Sequence, residues 1–245
     1  MKVARPKSSA APIEFIDATF TPEATNDMPK ATLTISSRNY SSWCLRGWLM
    51  CKLGGLEFEE QMVPLDDPDA RAELLLLSPS FLVPCLTHEG TKVWDTLAIA
   101  EYVAETNPDS GLLPSGTAAR AHCCAICGEM HSGFVNLRSA LPMNLKVHHP
   151  GFKVWAGAQA DIDRISSIWS ECLARYGGPY LFGEHLTMAD AMYAPVVTRF
   201  LTYDVPLSRE CAAYCRTIMK WPAMTEWINQ AKEEPTELEE LDMEF

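Results

Sequence analysis

Basic residues are scarce in this chain. Lysine and arginine number 20 against 32 aspartates and glutamates, which gives a formal net charge of −12 at pH 7. Nucleic acids and anionic membrane surfaces attract cationic proteins, so this balance argues against both as partners. Much of the negative charge lies at the end of the sequence, where residues 233–245 are expected to form a mobile acidic tail.

A secretory signal and a membrane-spanning run are also missing. There is no secretory signal pattern and no run of about 18 apolar residues, so no membrane-spanning helix is expected. Residues 1–30 show no hydrophobic period and are interpreted as a flexible leader. Lys2, Arg5 and Lys7 leave an organelle address open, but the amphipathic pattern it needs is weak. A cytoplasmic location is the expectation.

The nine cysteines do not form a recognisable framework, since their number is odd and their spacing irregular. Without a secretory signal, they are expected to be reduced and mostly buried thiols. Cys123, Cys124 and Cys127 resemble one half of a metal site, but no second half accompanies them. His148-His149 is too isolated to be a ligand pair, and no metal is predicted.

Residues 83–104 form the most organised stretch of the sequence, and they predict a strand, a tight turn, a second strand and a helix. Pro84 stands at the start of the first strand, where a cis bond would expose the backbone of Val83. Asp95-Thr96 precedes the helix, whose unpaired N–H groups can hold a carboxylate.

The flanking sequence extends this pattern in both directions. A strand is predicted at 31–36, a helix at 42–53, a second strand at 58–65 and a short helix at 67–77. Residues 31–110 therefore read as one α/β domain, followed by a linker rich in proline and glycine at 107–116.

Only helical patterns follow the linker, so residues 117–232 are predicted to form an all-helical domain. Met130, Phe134, Leu137 and Leu141 have the spacing of one amphipathic helix, and residues 162–176 have that of another. Thr187 and Asp190 are spaced as a capping box, and Pro195 is expected to kink the helix that they start. Two further helices are predicted at 209–220 and 222–232.

Together these features resemble the glutathione transferase superfamily. The resemblance is carried by Val83-Pro84, Asp95-Thr96, Tyr180-Leu181-Phe182-Gly183 and the box from Thr187 to Asp190. It implies a thioredoxin-like α/β N-terminal domain, an all-α C-terminal domain, glutathione as co-substrate and a homodimer. The segments N-Y-S-S-W-x-L-R and M-H-S-G-F resemble a mainly bacterial group of transferases with no well-defined substrate.

The same resemblance implies the glutathione contacts. The backbone of Val83, before a cis Pro84, pairs with the cysteinyl part of glutathione, and Asp95 and Thr96 hold its γ-glutamyl end. A basic residue that often precedes the Val-Pro pair in the family is replaced here by Leu82. Glutathione affinity is therefore expected to be weak, unless another cation serves.

The residue that meets the glutathione sulfur departs from the family. The catalytic serine of serine-type transferases falls on Asn39, whose amide suits a thiolate less well than a hydroxyl does. Ser41 and Ser42 lie close to the same helix end, and Ser41 is predicted to be the donor. The alternative is that both serines only cap the helix.

An electrophile pocket is implied by the resemblance near His131 and Arg138, which are predicted to share one helix face and to accept an anionic substrate. The predicted function is glutathione transferase, which joins the glutathione thiolate to a small electrophile. The alternatives are a zeta-like cis-trans isomerase of the maleylacetoacetate type, a non-catalytic scaffold that kept the fold, and a redox enzyme that uses Cys44. The last is disfavoured, because Cys44 lies more than a turn into its helix.

Overall fold

The computed structural model describes residues 31–63 and 82–235. Its first domain starts with a β-α-β unit, in which β1 (Ala31–Ile35) and β2 (Glu59–Met62) are parallel and α1 (Ser42–Leu53) connects them. Leu33 and Ile35 alternate along β1 and are fully buried, as the predicted strand requires. The predicted bounds of α1 are confirmed at both ends.

A hairpin completes the sheet. Strands β3 (Cys85–His88) and β4 (Thr91–Trp94) are antiparallel, and β3 also pairs antiparallel with β1, so the strand order is β2-β1-β3-β4. Glu89 and Gly90 make the turn with φ values of 48° and 80°, a left-handed pair that suits a two-residue hairpin. The predicted leader at 1–30 and the predicted helix at 67–77 lie outside the described residues.

Helix α2 (Thr96–Thr106) follows β4 directly and packs on α1 through Ile99, Ala100 and Val103, all of which are buried. This confirms the helix predicted after Asp95. A short 3₁₀ turn at Pro108–Ser110 then leads the chain into the second domain.

Six helices account for the regular structure of the second domain within the described ranges, which agrees with the predicted all-helical class. They are α3 (Thr117–Ser132), α4 (Val135–Ala140), α5 (Ala156–Tyr176), α6 (Met188–Thr202), α7 (Arg209–Met219) and α8 (Pro222–Glu233). No helix of 31–63 or 82–235 combines the length and the apolar character needed to cross a bilayer. Helix α8 extends one residue into the predicted tail, and residues 236–245 lie outside the described part of the chain.

One helix prediction is wrong. Met130, Phe134 and Leu137 are buried as their spacing requires, but the chain does not stay helical between them. Helix α3 ends at Ser132, and Phe134 adopts φ 56° and ψ 39°, a left-handed conformation that a right-handed helix cannot contain. The predicted shared helix face of His131 and Arg138 therefore does not exist, since the two residues lie on α3 and α4.

Helix α6 lies at the centre of the second domain and packs against α1 and α3. Nearly all of its side chains are buried, and Pro195 lies inside it without ending it. The predicted capping box is confirmed, because the Asp190 carboxylate accepts hydrogen bonds from the N–H and hydroxyl of Thr187 at 2.8 and 3.1 Å. It also accepts from Leu181 N at 3.1 Å and from the Tyr214 hydroxyl at 3.2 Å.

Removal of the Asp190 carboxylate is expected to destabilise the whole second domain. In Asp190→Ala, four donors in a buried site lose their acceptor, so the free energy of unfolding at neutral pH should fall by about 2 kcal/mol or more. Urea unfolding measures this change. Glu184→Ala, at an exposed position in the same loop, is the matched control and should leave stability nearly unchanged.

The cost of Asp190→Ala should also depend on pH. Burial raises the pKa of Asp190 to about 6 from an ordinary 3.8, against the lowering effect of its hydrogen bonds. The folded protein therefore binds this proton more tightly than the unfolded chain does. The stability difference between wild type and variant should be largest below the unfolded pKa and shrink by roughly 2 to 3 kcal/mol as the pH rises through the folded one. A difference that grows with pH would contradict this assignment.

Candidate functional site

Ser41 occupies the N-cap of α1. Its hydroxyl accepts a hydrogen bond from Cys44 N at 3.3 Å, and its carbonyl accepts one from Leu45 N at 3.1 Å. The side chain is partly exposed. A hydroxyl has two acceptor lone pairs and one O–H donor, so Ser41 can cap the helix and still donate to a bound group. Capping and a contact to a ligand are therefore compatible at this residue.

The other two predicted sulfur donors are buried. The Asn39 side-chain oxygen accepts from Leu145 N at 2.6 Å, while its Nδ2 is buried without a hydrogen-bond partner among the described residues. Ser42 is 6% exposed, and its hydroxyl accepts from Arg199 Nη2 at 3.2 Å. Of the three candidates, Ser41 is the one that faces outward at the helix end.

Asp95 and Thr96 stand at the start of α2. Asp95 has φ 75° and ψ 136°, a sparsely populated conformation for a residue other than glycine, and its Oδ1 accepts from Leu97 N at 2.8 Å. Thr96 is 2% exposed, and its hydroxyl is buried with no hydrogen-bond partner among the described residues. Buried hydroxyls are nearly always paired, so this one is suited to a ligand group.

The Val83–Pro84 peptide is cis and leads directly into β3. Pro84 packs so closely on α1 that a Cβ added at Gly47 would lie 2.5 Å from the Pro84 Cγ and 3.7 Å from Ile99 on α2. Glycine at this position thus allows α1, α2 and the start of β3 to meet. Cys85 pairs with Trp94 in the hairpin, so Val83 and Pro84 lie close to Asp95 and Thr96.

Trp43, in the first turn of α1, is the centre of a cluster between the two domains. The rings of Trp43 and His131 are 5.2 Å apart, and the guanidinium of Arg138 lies 5.5 Å from the Trp43 ring centre. His131 Nε2 also contacts Asp95 Oδ2 at 2.5 Å. The structure therefore brings His131 and Arg138 together on Trp43 although they belong to separate helices, and it links His131 to the predicted glutathione contacts.

Two buried arginines beside this cluster were missed by the sequence reasoning. Arg46 stacks on Trp43 at 4.5 Å and donates to Met192 O at 2.8 Å and to Ser42 O at 3.3 Å. Arg199 donates to the carbonyls of Leu141 and Arg138. An arginine inside an otherwise apolar helix was the signal available for both.

The arginine charges lack acidic partners. In the described ranges, no carboxylate lies within ion-pair distance of Arg46, Arg138 or Arg199. Burial lowers the pKa of Arg46 well below its usual range, and the charges of Arg199 and Arg138 add to the effect. Burial likewise lowers the pKa of Arg199 to about 10. In the described part of the chain, the guanidiniums of Arg46 and Arg138 therefore place positive charge without an ion-pair partner on Trp43, in a protein of net negative charge.

Comparison with known proteins identifies both domains. The model of the glutathione S-transferase N-terminal domain matches residues 40–106, and that of the C-terminal domain matches residues 152–230. Maleylacetoacetate isomerase of Rattus norvegicus is 30% identical over 176 residues, which cover 70% of this chain and 78% of that protein. The protein belongs to the glutathione transferase superfamily. The predicted family and the two-domain architecture are thus confirmed.

Other relatives are named either as isomerases or as transferases. A probable maleylacetoacetate isomerase of Caenorhabditis elegans is 28% identical over 172 residues, 70% of this chain and 79% of that protein. Glutathione S-transferase 1 of Dianthus caryophyllus is 26% identical over 181 residues, 73% and 81% of the two chains. A Burkholderia glutathione transferase homologue, solved with bound glutathione, superposes with a TM-score of 0.64 at 22% identity, covering 83% of this chain and 99% of that one. The solved structure supports the fold.

Cys44 is fully buried, and Ser36 N donates to its sulfur at 3.3 Å. Burial raises the pKa of the Cys44 thiol, against the lowering effect of nearby hydrogen bonds. Cys123 and Cys127 are also buried, and no group of three or more metal-ligating side chains occurs among the residues that the structure describes. The burial of Cys44 argues against the redox alternative.

Thiol labelling tests the burial of Cys44. Of the nine cysteines, Cys124 is exposed and the other eight are buried. A thiol reagent added to the native protein should modify one site, and Cys124→Ala should remove that site. Mass spectrometry of the labelled peptides identifies it. Rapid native labelling of Cys44, with Cys44→Ala as the control, would reopen the redox alternative.

Proposed function

We propose that this transferase joins the thiolate of glutathione to a small electrophile. The observation that carries the proposal is the partly exposed Ser41 hydroxyl at the N-cap of α1. A free thiol has a pKa near 8.5, so only a few per cent is ionised at neutral pH. A hydroxyl donor and a helix N-terminus together are expected to lower that pKa by about 1 to 2 units.

The reaction needs no further group from the protein. The thiol proton leaves to solvent, the sulfur lone pair forms a bond to the electrophilic carbon, and the leaving group departs with the electron pair of its own bond. Ser41 donates to the sulfur and holds it as the thiolate before attack. The positive end of α1 favours the same charge.

Four residues are proposed to hold the rest of glutathione. The backbone of Val83, before Pro84, pairs with the cysteinyl unit as an added strand would. The γ-glutamyl carboxylate fits the N-terminus of α2, where the Thr96 hydroxyl is unpaired, and its ammonium fits the Asp95 carboxylate. Leu82, which is 60% exposed, provides no charge for the glycine end, so we propose a modest affinity.

The electrophile is proposed to be an anion. Arg138 is partly exposed above Trp43, and the buried guanidinium of Arg46 lies on the same ring. Charges at partly or fully buried positions act over a lower dielectric than charges at the surface do, so Arg138 and Arg46 are proposed to attract a carboxylated substrate more strongly. The shared contact to Trp43 supports a substrate position at the first turn of α1, beside Ser41.

A zeta-like isomerase is the second candidate, and the relatives named maleylacetoacetate isomerase favour it. In that reaction the thiolate adds to a carbon–carbon double bond, the former π electrons move to a carbonyl oxygen, the single bond rotates, and the thiolate leaves. The arginine charges on Trp43 suit this carboxylated substrate equally well. Assays with chlorodinitrobenzene and with maleylacetoacetate separate the two reactions.

A non-catalytic scaffold is the remaining alternative, and the departures at Asn39 and Leu82 favour it. Retention on a glutathione column together with no turnover of either electrophile would support it. Turnover of chlorodinitrobenzene or maleylacetoacetate above the uncatalysed rate would exclude it.

Loss of the α2 contacts should weaken glutathione binding. Asp95→Ala combined with Thr96→Ala removes charge-assisted contacts to the γ-glutamyl end, and the binding free energy should fall by roughly 2 to 4 kcal/mol. Isothermal calorimetry measures it. Thr106→Ala, at the exposed other end of α2, is the control. Unchanged affinity in a folded double variant would remove this site from the proposal.

Loss of the Ser41 hydroxyl should raise the pKa of the bound thiol by about 1 to 2 units, because a charge-assisted hydrogen bond worth about 1.5 to 3 kcal/mol is lost. Turnover of Ser41→Ala should fall at neutral pH and recover partly as the pH rises. The ultraviolet absorbance of the thiolate against pH gives the pKa directly.

Asn39→Ala is the matched test of the family position. Since its side chain is buried, Asn39→Ala is expected to leave the thiol pKa closer to wild type than Ser41→Ala does. The opposite order would assign the donor to Asn39. If neither variant moves the pKa, the helix end alone sets it or no thiolate forms, and the scaffold alternative gains support.

Loss of the Arg138 charge should affect carboxylated electrophiles more than uncharged ones. In Arg138→Gln, KM for a carboxylated electrophile should rise about tenfold, while that for uncharged chlorodinitrobenzene changes little. Arg120→Gln removes the same charge from an exposed position on α3 and serves as the control. Equal effects of Arg138→Gln on both electrophiles would contradict the anionic substrate class.

A further inference from the structure

Glu234, the residue after α8, contacts the loop that carries the sulfur site. Its Oε2 accepts hydrogen bonds from Arg38 N at 2.9 Å, Asn39 N at 3.0 Å and the Ser37 hydroxyl at 3.1 Å. Two successive backbone N–H groups and one hydroxyl therefore converge on a single carboxylate oxygen, which is a recurrent way to bind an anion. The sequence placed this residue in a mobile tail, and the structure corrects that prediction at Glu234.

The backbone N–H groups of Tyr40, Ser41 and Ser42 are satisfied from within the loop. Tyr40 N donates to the Ser37 hydroxyl at 3.2 Å, Ser41 N to Ser37 O at 3.1 Å, and Ser42 N to Tyr40 O at 3.1 Å. The N–H groups of Arg38 and Asn39 are the two that reach out to Glu234. Since these donors lie in a partly buried loop, loss of the carboxylate would leave both without their acceptor.

Glu234 is itself held in place. Lys146 Nζ donates to its carbonyl oxygen, and Trp227 on α8 donates from Nε1 to Arg38 O at 3.0 Å. Trp227 also packs on Trp48 of α1, with ring centroids 5.3 Å apart. The contacts of Lys146 and Trp227 therefore hold α8 and the residue after it against the loop, which restricts the movement of the Glu234 carboxylate.

We propose that Glu234 is a positioning residue for the thiolate site. By fixing the backbone of Ser37, Arg38 and Asn39, it sets the entry of the chain into α1 and the direction of the Ser41 hydroxyl. This inference rests on the proposed function, in which Ser41 donates to the glutathione sulfur. Glu234 touches no reacting atom and acts through the loop.

The negative charge of Glu234 and its hydrogen bonds have opposite effects on a bound thiolate. The charge disfavours the thiolate, whereas the hydrogen bonds to the loop direct the Ser41 hydroxyl that stabilises it. The pKa of the neighbouring Cys44 thiol is raised mainly by burial, and the Glu234 carboxylate adds to that rise. The same negative charge opposes a glutathione thiolate at the helix end. A variant that only removes the residue would change geometry and charge together, so a comparison of two uncharged variants is needed.

The experiment compares Glu234→Ala with Glu234→Gln in the full chain. Both remove the charge, but glutamine keeps an oxygen that can accept from the loop. The pKa of enzyme-bound glutathione, from thiolate absorbance, should be about one unit higher in Glu234→Ala than in Glu234→Gln. The value of kcat at neutral pH should be about tenfold lower in Glu234→Ala than in Glu234→Gln, and it should recover as the pH rises. A merely structural role would lower the melting temperature without this pH shift.

Glu226→Gln is the matched control. Glu226 lies on the same helix and pairs with Lys52 of α1 at 3.0 Å, but it does not contact the loop. Glu226→Gln should leave the pKa of bound glutathione at the wild-type value.

Should Glu234→Ala fail to fold, Glu234→Asp takes its place in the comparison. Aspartate keeps the negative charge but withdraws the carboxylate from the loop by one methylene. A thiol pKa above wild type then supports the proposal, and an unchanged one overturns it.

Two failures can be told apart. If wild type forms a thiolate and the folded Glu234→Ala and Glu234→Gln share one thiol pKa, the positioning role is overturned while the proposed function stands. If wild type binds glutathione without forming a thiolate, the proposed function is overturned, and the role of Glu234 falls with it.

Discussion

The burial of α1 between the two domains is the constraint on which the rest of the structure depends. One side of the helix packs on α2 and the other on α6. Arg46, inside it, donates to the Met192 carbonyl of α6, so a fully desolvated guanidinium joins the domains by hydrogen bonds. Because an unpaired buried charge is very costly, α1 and α6 are held in one relative position. The N-terminus of α1 is consequently placed with the same precision.

Features with local signals were predictable from the sequence. The bounds of α1 follow from Ser41 as a cap and the glycines after Leu53, and the turn at Glu89-Gly90 follows from its residue types. The capping box from Thr187 to Asp190 has a spacing that only a helix start explains. In each case the residues that make the contact are close in sequence, so the pattern itself contains the geometry.

Features that depend on the meeting of distant segments were not predictable. Phe134 is apolar and has helical spacing, yet its left-handed conformation ends the helical pattern there. Glu234 stands in an acidic run that resembles a solvated tail, and its partners lie nearly two hundred residues earlier. Arg199 reaches Ser42 across the domain boundary. The apolar helix around Arg199 indicates that this residue is buried, but no local pattern identifies the partner of Arg199 or of Glu234, because the fold brings each partner from a distant part of the chain.

Charges from the second domain meet at the start of α1 with opposite effects. Glu234 places a negative charge beside the loop, while Arg199 contacts Ser42 and Arg138 lies over Trp43. The two arginines have no carboxylate within ion-pair distance in the described part of the chain, so their field is not cancelled locally. Arg46 adds a third positive charge near this helix end, where the Asp95 carboxylate also lies in contact with His131. In the proposed function these arginines favour the glutathione thiolate even though Asn39 occupies the family's serine position, which reduces the share of thiolate stabilisation that the Ser41 hydroxyl must provide.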